Sequence, residues 1–181
     1  MTLRIASWNI NSVRLRLENI ANYVTASALD ILCLQETKTQ DATFPYDFLR
    51  ECGFSHVLHQ GQKSYNGVAI LSKLPLQVIP AGNGHARHIA AVVAGRFELH
   101  NVYIPAGGDI PDTQLNPKFA EKLQFVEALT QWSGSVKHTP CVIVGDFNIA
   151  PYEHDVWSHK QLLNVVSHTA IEVEALRRFE N

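Results

Sequence analysis

A chain of 181 residues, 46% apolar and 18% charged, can close a hydrophobic core and is too apolar to be disordered. Its formal net charge of −2 excludes attachment to nucleic acid by bulk positive charge alone. No apolar run reaches membrane-spanning length, and the start, MTLRIASWNIN, lacks the basic and apolar regions of a secretory signal. Three widely spaced cysteines, Cys33, Cys52 and Cys141, suit a reducing compartment, here the cytoplasm. Cys33 and Cys141 sit in apolar runs that read as core, and no Cys/His spacing resembles a zinc site. Residues 61–100 carry Lys63, Lys73, Arg87 and Arg96 against Glu98 alone, whereas 141–181 is acidic. Taken singly, each of these charges reads as part of a solvated face.

In chain order, LRIASWN predicts a first strand. Ser12 then opens a helical pattern with Val13, Leu17, Ile20, Val24 and Ala28 at steps of three and four. DILCLQ is a continuous apolar run, as in a strand buried on both faces. FSHVLH and GVAILS follow as strands punctuated by Gly61 and Gly67, and LQVIP, IAAVVAG and FELHNVYIP extend the series. A helix with Phe119, Leu123, Val126 and Leu129 on one face precedes CVIVGD, the last clear strand, which the pattern predicts to be buried. A final helix opens with a capping box formed by Thr169 and Glu172, and its pattern stops abruptly at Asn181. Many strands with few helices predict an α/β arrangement of stacked sheets flanked by helices, with antiparallel pairs between Phe54 and Ile104.

Four strands turn polar at their carboxyl ends: Asn9 and Asn11, Gln35 and Glu36, Asn101 and Tyr103, Asp146 and Asn148. Side chains two apart on a strand share a face, so such pairs can aim at one point beyond the strand ends. Two carboxylates among amides suit a hard cation held by oxygen, and Mg²⁺ often takes only one or two protein carboxylates. One acid on the metal leaves the other free as a base, and amides with a tyrosine can bind phosphate oxygens. Those are the parts of metal-assisted attack of water on a phosphoester. The bland alternatives are helix capping by Asn11 or Ser12, a surface pair of Glu36 with Lys38, and an ordinary strand aromatic at Tyr103. Asp146 is harder to dismiss, since a lone carboxylate after a buried strand is costly.

SWNINSVR, LCLQETK, YNGVAIL, NVYIPAGG and VIVGDFNIAP resemble the successive motifs of the exonuclease III and apurinic/apyrimidinic endonuclease family, a branch of the endonuclease/exonuclease/phosphatase superfamily. The resemblance runs from the first strand to about Thr169. It implies a single domain over 1–181 with a four-layer αββα sandwich of two mixed sheets. It implies Mg²⁺-dependent cleavage of DNA phosphodiesters in base excision repair, with Mn²⁺ as a substitute ion. The partner would be double-stranded DNA with abasic sites or 3′ ends, and no membrane. Carried over residue by residue, Glu36 is the main metal carboxylate and Asn9 helps hold the metal. Asp146 positions or deprotonates the attacking water, Asn148 orients the scissile phosphate, and Tyr103 reaches the phosphate or leaving oxygen. Asn11, Arg87 and Asn101 are the expected substrate contacts, Arg87 on the DNA backbone.

Two departures qualify the likeness. Ala106 stands where the family usually has Asn or Gln, and no closing Ser-Asp-His motif occurs. His168 falls in a different motif position and reads as a surface or core-edge residue. The family continues through further strands, so the C-terminal strands are expected to be missing and a sheet edge to be open to self-association. The chain is then a fragment, a truncated product or one that covers the edge by association, with very low or absent turnover of its own. The alternatives are a related metal-dependent phosphatase, such as one acting on phosphoinositides, and a non-catalytic DNA-binding form.

Overall fold

Five consecutive buried residues make β2 (Ile31–Gln35) the spine of the first sheet. In the computed structural model, which describes residues 2–82, 86–135 and 140–180, this sheet has the order β1-β2-β4-β3. β1 (Ile5–Asn9) runs parallel to β2, while β4 (Tyr65–Ser72) pairs antiparallel with both β2 and β3 (His56–Gln62). The second sheet is β5 (Leu76–Ile79), β6 (His88–Val93), β7 (Phe97–Tyr103) and β8 (Cys141–Asp146), antiparallel until the parallel pair β7–β8. Both sheets lie in one compact unit, residues 1–103 with 139–146.

Alternation along β2 explains its unbroken apolar run. Ile31 and Cys33 face inward with Val68 and Ile70, against Ile89, Val93 and Leu99 of the second sheet. Leu32 and Leu34 face outward with Ala69 and Leu71, against Ile20 and Val24 of α1 (Leu17–Ser27) and Leu49 of α2 (Tyr46–Glu51). Fully burying each such side chain contributes about 1.5–3 kcal/mol. Helix layer, first sheet and second sheet thus follow in order within this unit.

The other unit, residues 104–138 with 147–181, is helical. It holds α3 (Pro117–Ser135), the short α4 (His159–Leu162) and α5 (Ala170–Glu180). Phe119, Val126 and Leu129 of α3 are buried. α3 and α5 are joined by a fully buried ion pair, Lys122 Nζ to Glu172 Oε1 at 2.5 Å. Glu172 also accepts from the backbone N–H of Thr169 at 3.2 Å while its own N–H donates to Thr169 Oγ1 at 3.4 Å, which is the predicted capping box, and the Thr169 hydroxyl adds a bond to the same carboxylate at 2.6 Å.

The eight predicted strands all form, and the two mixed sheets with helices are the expected α/β fold. Three local readings change. The first helical pattern breaks at Arg16, leaving a 3₁₀ turn at Val13–Leu15 before α1, and Ser12 makes no side-chain cap. β8 is not a fully buried strand: Cys141 and Val142 are exposed and Ile143 to Asp146 half-buried. The reason is position, because among the described residues β8 pairs only with β7 and so has one open edge. Cys141 is therefore a surface thiol, while Cys33 is core as expected.

Candidate active site

The carboxyl ends of β1, β2, β7 and β8 meet around one amide. Asn9 Nδ2 donates to Glu36 Oε1 and to Asp146 Oδ2, both at 2.8 Å. Tyr103 Oη donates to the same Glu36 oxygen at 2.8 Å. Lys38 Nζ pairs with the other Glu36 oxygen at 2.8 Å and donates to Asn11 Oδ1 at 2.6 Å. The surface pair of Glu36 with Lys38 is thus real, but it is one side of a larger cluster.

The loop that carries Glu36 is clamped from both flanks. Ser12 N–H donates to Glu36 O at 2.7 Å, and Val13 N–H to Thr37 O at 3.1 Å. On the other side Thr37 N–H donates to Gly67 O and Lys38 N–H to Asn66 O. Gly67, with φ +94°, leaves room for Thr37 that a Cβ would fill, since that atom would lie 2.0 Å from Thr37 Oγ1. Glu36, Lys38, Asn11 and Ser12 all have positive φ. Such backbone costs about 1–3 kcal/mol per residue and persists only where neighbours over-determine it.

Burial by itself would raise the Glu36 carboxyl. Hydrogen bonds from Asn9, Lys38 and Tyr103, with the Lys38 charge, outweigh it and hold the group below its ordinary value. Burial, then the Glu36 carboxylate, pushes the Tyr103 hydroxyl up, so it stays protonated and remains a donor. Arg87 lies against Tyr103, its guanidinium 4.8 Å from the ring centroid and 3.3 Å from the Tyr103 carbonyl oxygen. It is buried, and its reach into the site runs through Tyr103.

Asn101 belongs elsewhere. It shares an inward face with Tyr103, but it is fully buried, with Nδ2 donating to Leu34 O and Ala69 O at 2.9 and 2.8 Å. Its Oδ1 accepts from Gln35 Nε2 at 2.7 Å. Its amide is occupied in tying the two sheets together, so the expected substrate contact there is corrected to a structural one. Asn148 belongs to the helical unit. Its Nδ2 donates to Ile104 O at 2.9 Å, and its carbonyl oxygen accepts from Lys122 Nζ at 2.6 Å. Lys122 also reaches Ala106 O at 3.3 Å. The sequence reading missed Lys122, because a lysine on an otherwise apolar helix face looks like a solvated charge. His168 is buried, bonded to Ala150 O and His159 at 2.7 and 2.8 Å, as a core-edge residue.

The pattern of the Endonuclease/Exonuclease/phosphatase family matches residues 6–166. The chain belongs to that family. Its exonuclease III and apurinic/apyrimidinic endonuclease branch is the one its relatives indicate. Within this family the chain is 33% identical over 165 residues to exodeoxyribonuclease III of Haemophilus influenzae, covering 85% of this chain and 60% of that protein. It superposes with a TM-score of 0.91 on an AP endonuclease from Archaeoglobus fulgidus at 32% identity, covering 99% of this chain and 70% of that one. A 3′ phosphatase from Neisseria, bound to product DNA hairpin, gives 0.89 at 33% identity, with 99% and 70% covered. The chain thus spans 60% of the length of the Haemophilus relative and 70% of the two solved family members.

Proposed function

We propose that these residues carry the metal-binding and water-activating part of a DNA phosphodiesterase of the exonuclease III type, acting at abasic sites or 3′ ends in repair. The single observation that carries this reading is Asn9 bonded at once to Glu36 and Asp146, with Tyr103 on the same carboxylate. Metal dependence is a property of the family, and Mg²⁺ is the ion we assign, with Mn²⁺ as substitute. The donors that fit are the carboxylate oxygens of Glu36 and Asp146, which the Asn9 amide N–H group bridges, with no thiol or imidazole among the hydrogen-bonded partners of Glu36. When bound, the ion supplies Lewis-acid stabilisation of charge on the phosphate.

The chain's own residues divide the remaining work. Glu36 holds the ion, and Asn9 fixes the orientation of Glu36 and Asp146. Asp146 accepts the proton of the attacking water as its oxygen bonds to phosphorus and the bond to the leaving oxygen breaks. Tyr103 donates to the phosphate or to that leaving oxygen. Arg87 holds the Tyr103 ring against its guanidinium face. Asn148 orients the phosphate, and Asn11 with Lys38 lines the rim toward the DNA. Three free thiols suit a cytoplasmic location. The open edge of β8 is the surface we assign to self-association.

A second reading, removal of a 3′ phosphate from DNA, is favoured by the likeness to the Neisseria 3′ phosphatase. One assay series separates the readings. A duplex with a single abasic analogue, a 3′-phosphorylated duplex and a phosphoinositide are incubated with the protein, with and without Mg²⁺. Mg²⁺-dependent nicking of the abasic duplex is expected, at the very low rate that fits a chain without the closing Ser-Asp-His motif, and should be lost in Glu36→Gln. Release of phosphate from only one of the other substrates would replace the reading with the matching phosphatase. Binding of DNA without cleavage, unchanged by Asp146→Ala, would make the protein a non-catalytic binder.

A further inference from the structure

The parallel pairing of β7 with β8 builds a second cluster of ligand atoms, on the face turned away from the first sheet. Along β7, Leu99, Asn101 and Tyr103 point toward the first sheet, so Glu98 and His100 point the other way. Cys141 is the register partner of Glu98, and parallel partners share a face. One ligand atom from each of Glu98, His100 and Cys141 lies within 4.8 Å of the others. We propose that Glu98, His100 and Cys141 form a zinc site at the start of β8, separate from the Glu36 and Asp146 cluster.

Three observations support it. His100 Nε2 stands 3.4 Å from Glu98 Oε2. That is long for a hydrogen bond between these groups, whose usual N···O separation is about 2.9 Å. It matches the edge of a tetrahedron with bonds of about 2.0–2.1 Å, roughly 3.4 Å, the geometry zinc takes with nitrogen and oxygen ligands. His100 Nδ1 lies 3.0 Å from His88 Nε2, and both rings are buried. A metal-bound histidine is oriented by a hydrogen bond from its second ring nitrogen, and His88 Nε2 is placed to accept one from His100 Nδ1. Finally, the donors are one thiolate, one imidazole and one carboxylate. This mixture suits Zn²⁺ and not the hard cation that the Glu36 cluster suits.

The site is half open. His100 is buried, Glu98 half-buried and Cys141 exposed, so among the described residues a fourth position is open. Cys141 and Asp146 are the two ends of β8, which sets the sites about 17 Å apart along the strand at about 3.3 Å per residue. A metal here joins β8, an edge strand among the described residues, to β7. The ligands come from positions 98, 100 and 141, which explains why no short Cys/His spacing announced the site.

The test titrates Co²⁺, then Zn²⁺, into metal-free protein in excess Mg²⁺, which occupies oxygen-donor sites. One equivalent of Co²⁺ should give a thiolate-to-cobalt charge-transfer band that Zn²⁺ displaces. Cys141→Ser should abolish the band, and Glu98→Gln should weaken zinc affinity by about tenfold or more. His88→Gln should weaken it within the same 10–100-fold range, roughly, as loss of an orienting partner does. Circular dichroism of the metal-free variants checks that each is folded, and Cys141, being exposed, tolerates serine. Absence of a thiolate band, or a band that survives Cys141→Ser and disappears in Cys52→Ser, would overturn the proposal.

Discussion

Asn9 Nδ2 meets Asp146 Oδ2 at 2.8 Å, a bond that spans 137 residues of sequence and joins the last residue of β1 to the last residue of β8. The same nitrogen meets Glu36, so one neutral amide stands between two acids that would otherwise repel. Replacing Asn9 with Leu removes both bonds at similar volume. We expect cleavage of abasic DNA to fall by about 10–100-fold and the Mg²⁺ requirement to rise, as for loss of an orienting partner of a metal ligand. Initial rates against Mg²⁺ concentration measure this. An unchanged Mg²⁺ dependence would show that Asn9 does not organise the two carboxylates.

Gly67 is where the YNGVAIL segment supports the site. Its φ of +94° and the 2.0 Å approach of a built Cβ to Thr37 Oγ1 leave no place for a side chain. Gly67→Ala is expected to destabilise the fold by about 2–4 kcal/mol, from strain and overpacking together. The displaced Thr37 would carry Glu36 with it, so metal affinity should fall in parallel. Urea denaturation and metal titration on the same preparation report both.

Lys122 and Glu172 form a pair with no exposed side-chain surface. Glu172 is further held by Ser167 N–H at 3.0 Å and by Thr169. Lys122→Met leaves that carboxylate without its cation in an apolar setting, which should cost about 3–5 kcal/mol. The midpoint of urea unfolding is the measurement. The backbone carbonyl of Asn148 also loses its Lys122 contact, so a change at Asn148 should accompany the loss of stability.

His59 links stability to pH. Its ring is buried against Phe44, with Nε2 2.9 Å from Thr37 Oγ1. Burial, only partly offset by Asp41, lowers its pKa from 6.5 to about 4. The folded state therefore favours the neutral ring. The stability it contributes is complete above about pH 6.5 and is lost as pH falls toward 4, where the unfolded chain binds the extra proton. The loss should be on the order of 3 kcal/mol. Thermal unfolding between pH 7 and pH 4 should show a steeper decline for the native protein than for His59→Gln. Equal slopes would remove His59 as the source.

Much of the fold was legible because apolar runs and their punctuation are local. DILCLQ reads as a strand buried on both faces, and β2 is one. Of the helix face Phe119, Leu123, Val126 and Leu129, all but Leu123 are buried, and Leu123 is half-buried beside the buried Lys122. That Glu36 and Asp146 come to one place was legible for a related reason, since each stands at the carboxyl end of an apolar strand. The places of Asn101 and Cys141 were not. Asn101 has the same sequence environment as Tyr103 two residues on, yet only the stacking of the sheets decides which of them is sealed between strands. Cys141 sits in an apolar run, but a strand's place at a sheet edge depends on what pairs beside it.

The sequence by itself determined the strand order along the chain, the residue types at the strand ends and the membership in this phosphoesterase family. Those properties rest on hydrophobic periodicity and on motifs a few residues long, which act within one element. Only the tertiary structure decided that Asn9 bridges the two acids, that Lys122 lies buried beneath a carboxylate and that Glu98, His100 and Cys141 share a face. Each of those depends on contacts between distant segments, whose geometry is set when the sheets pair and pack.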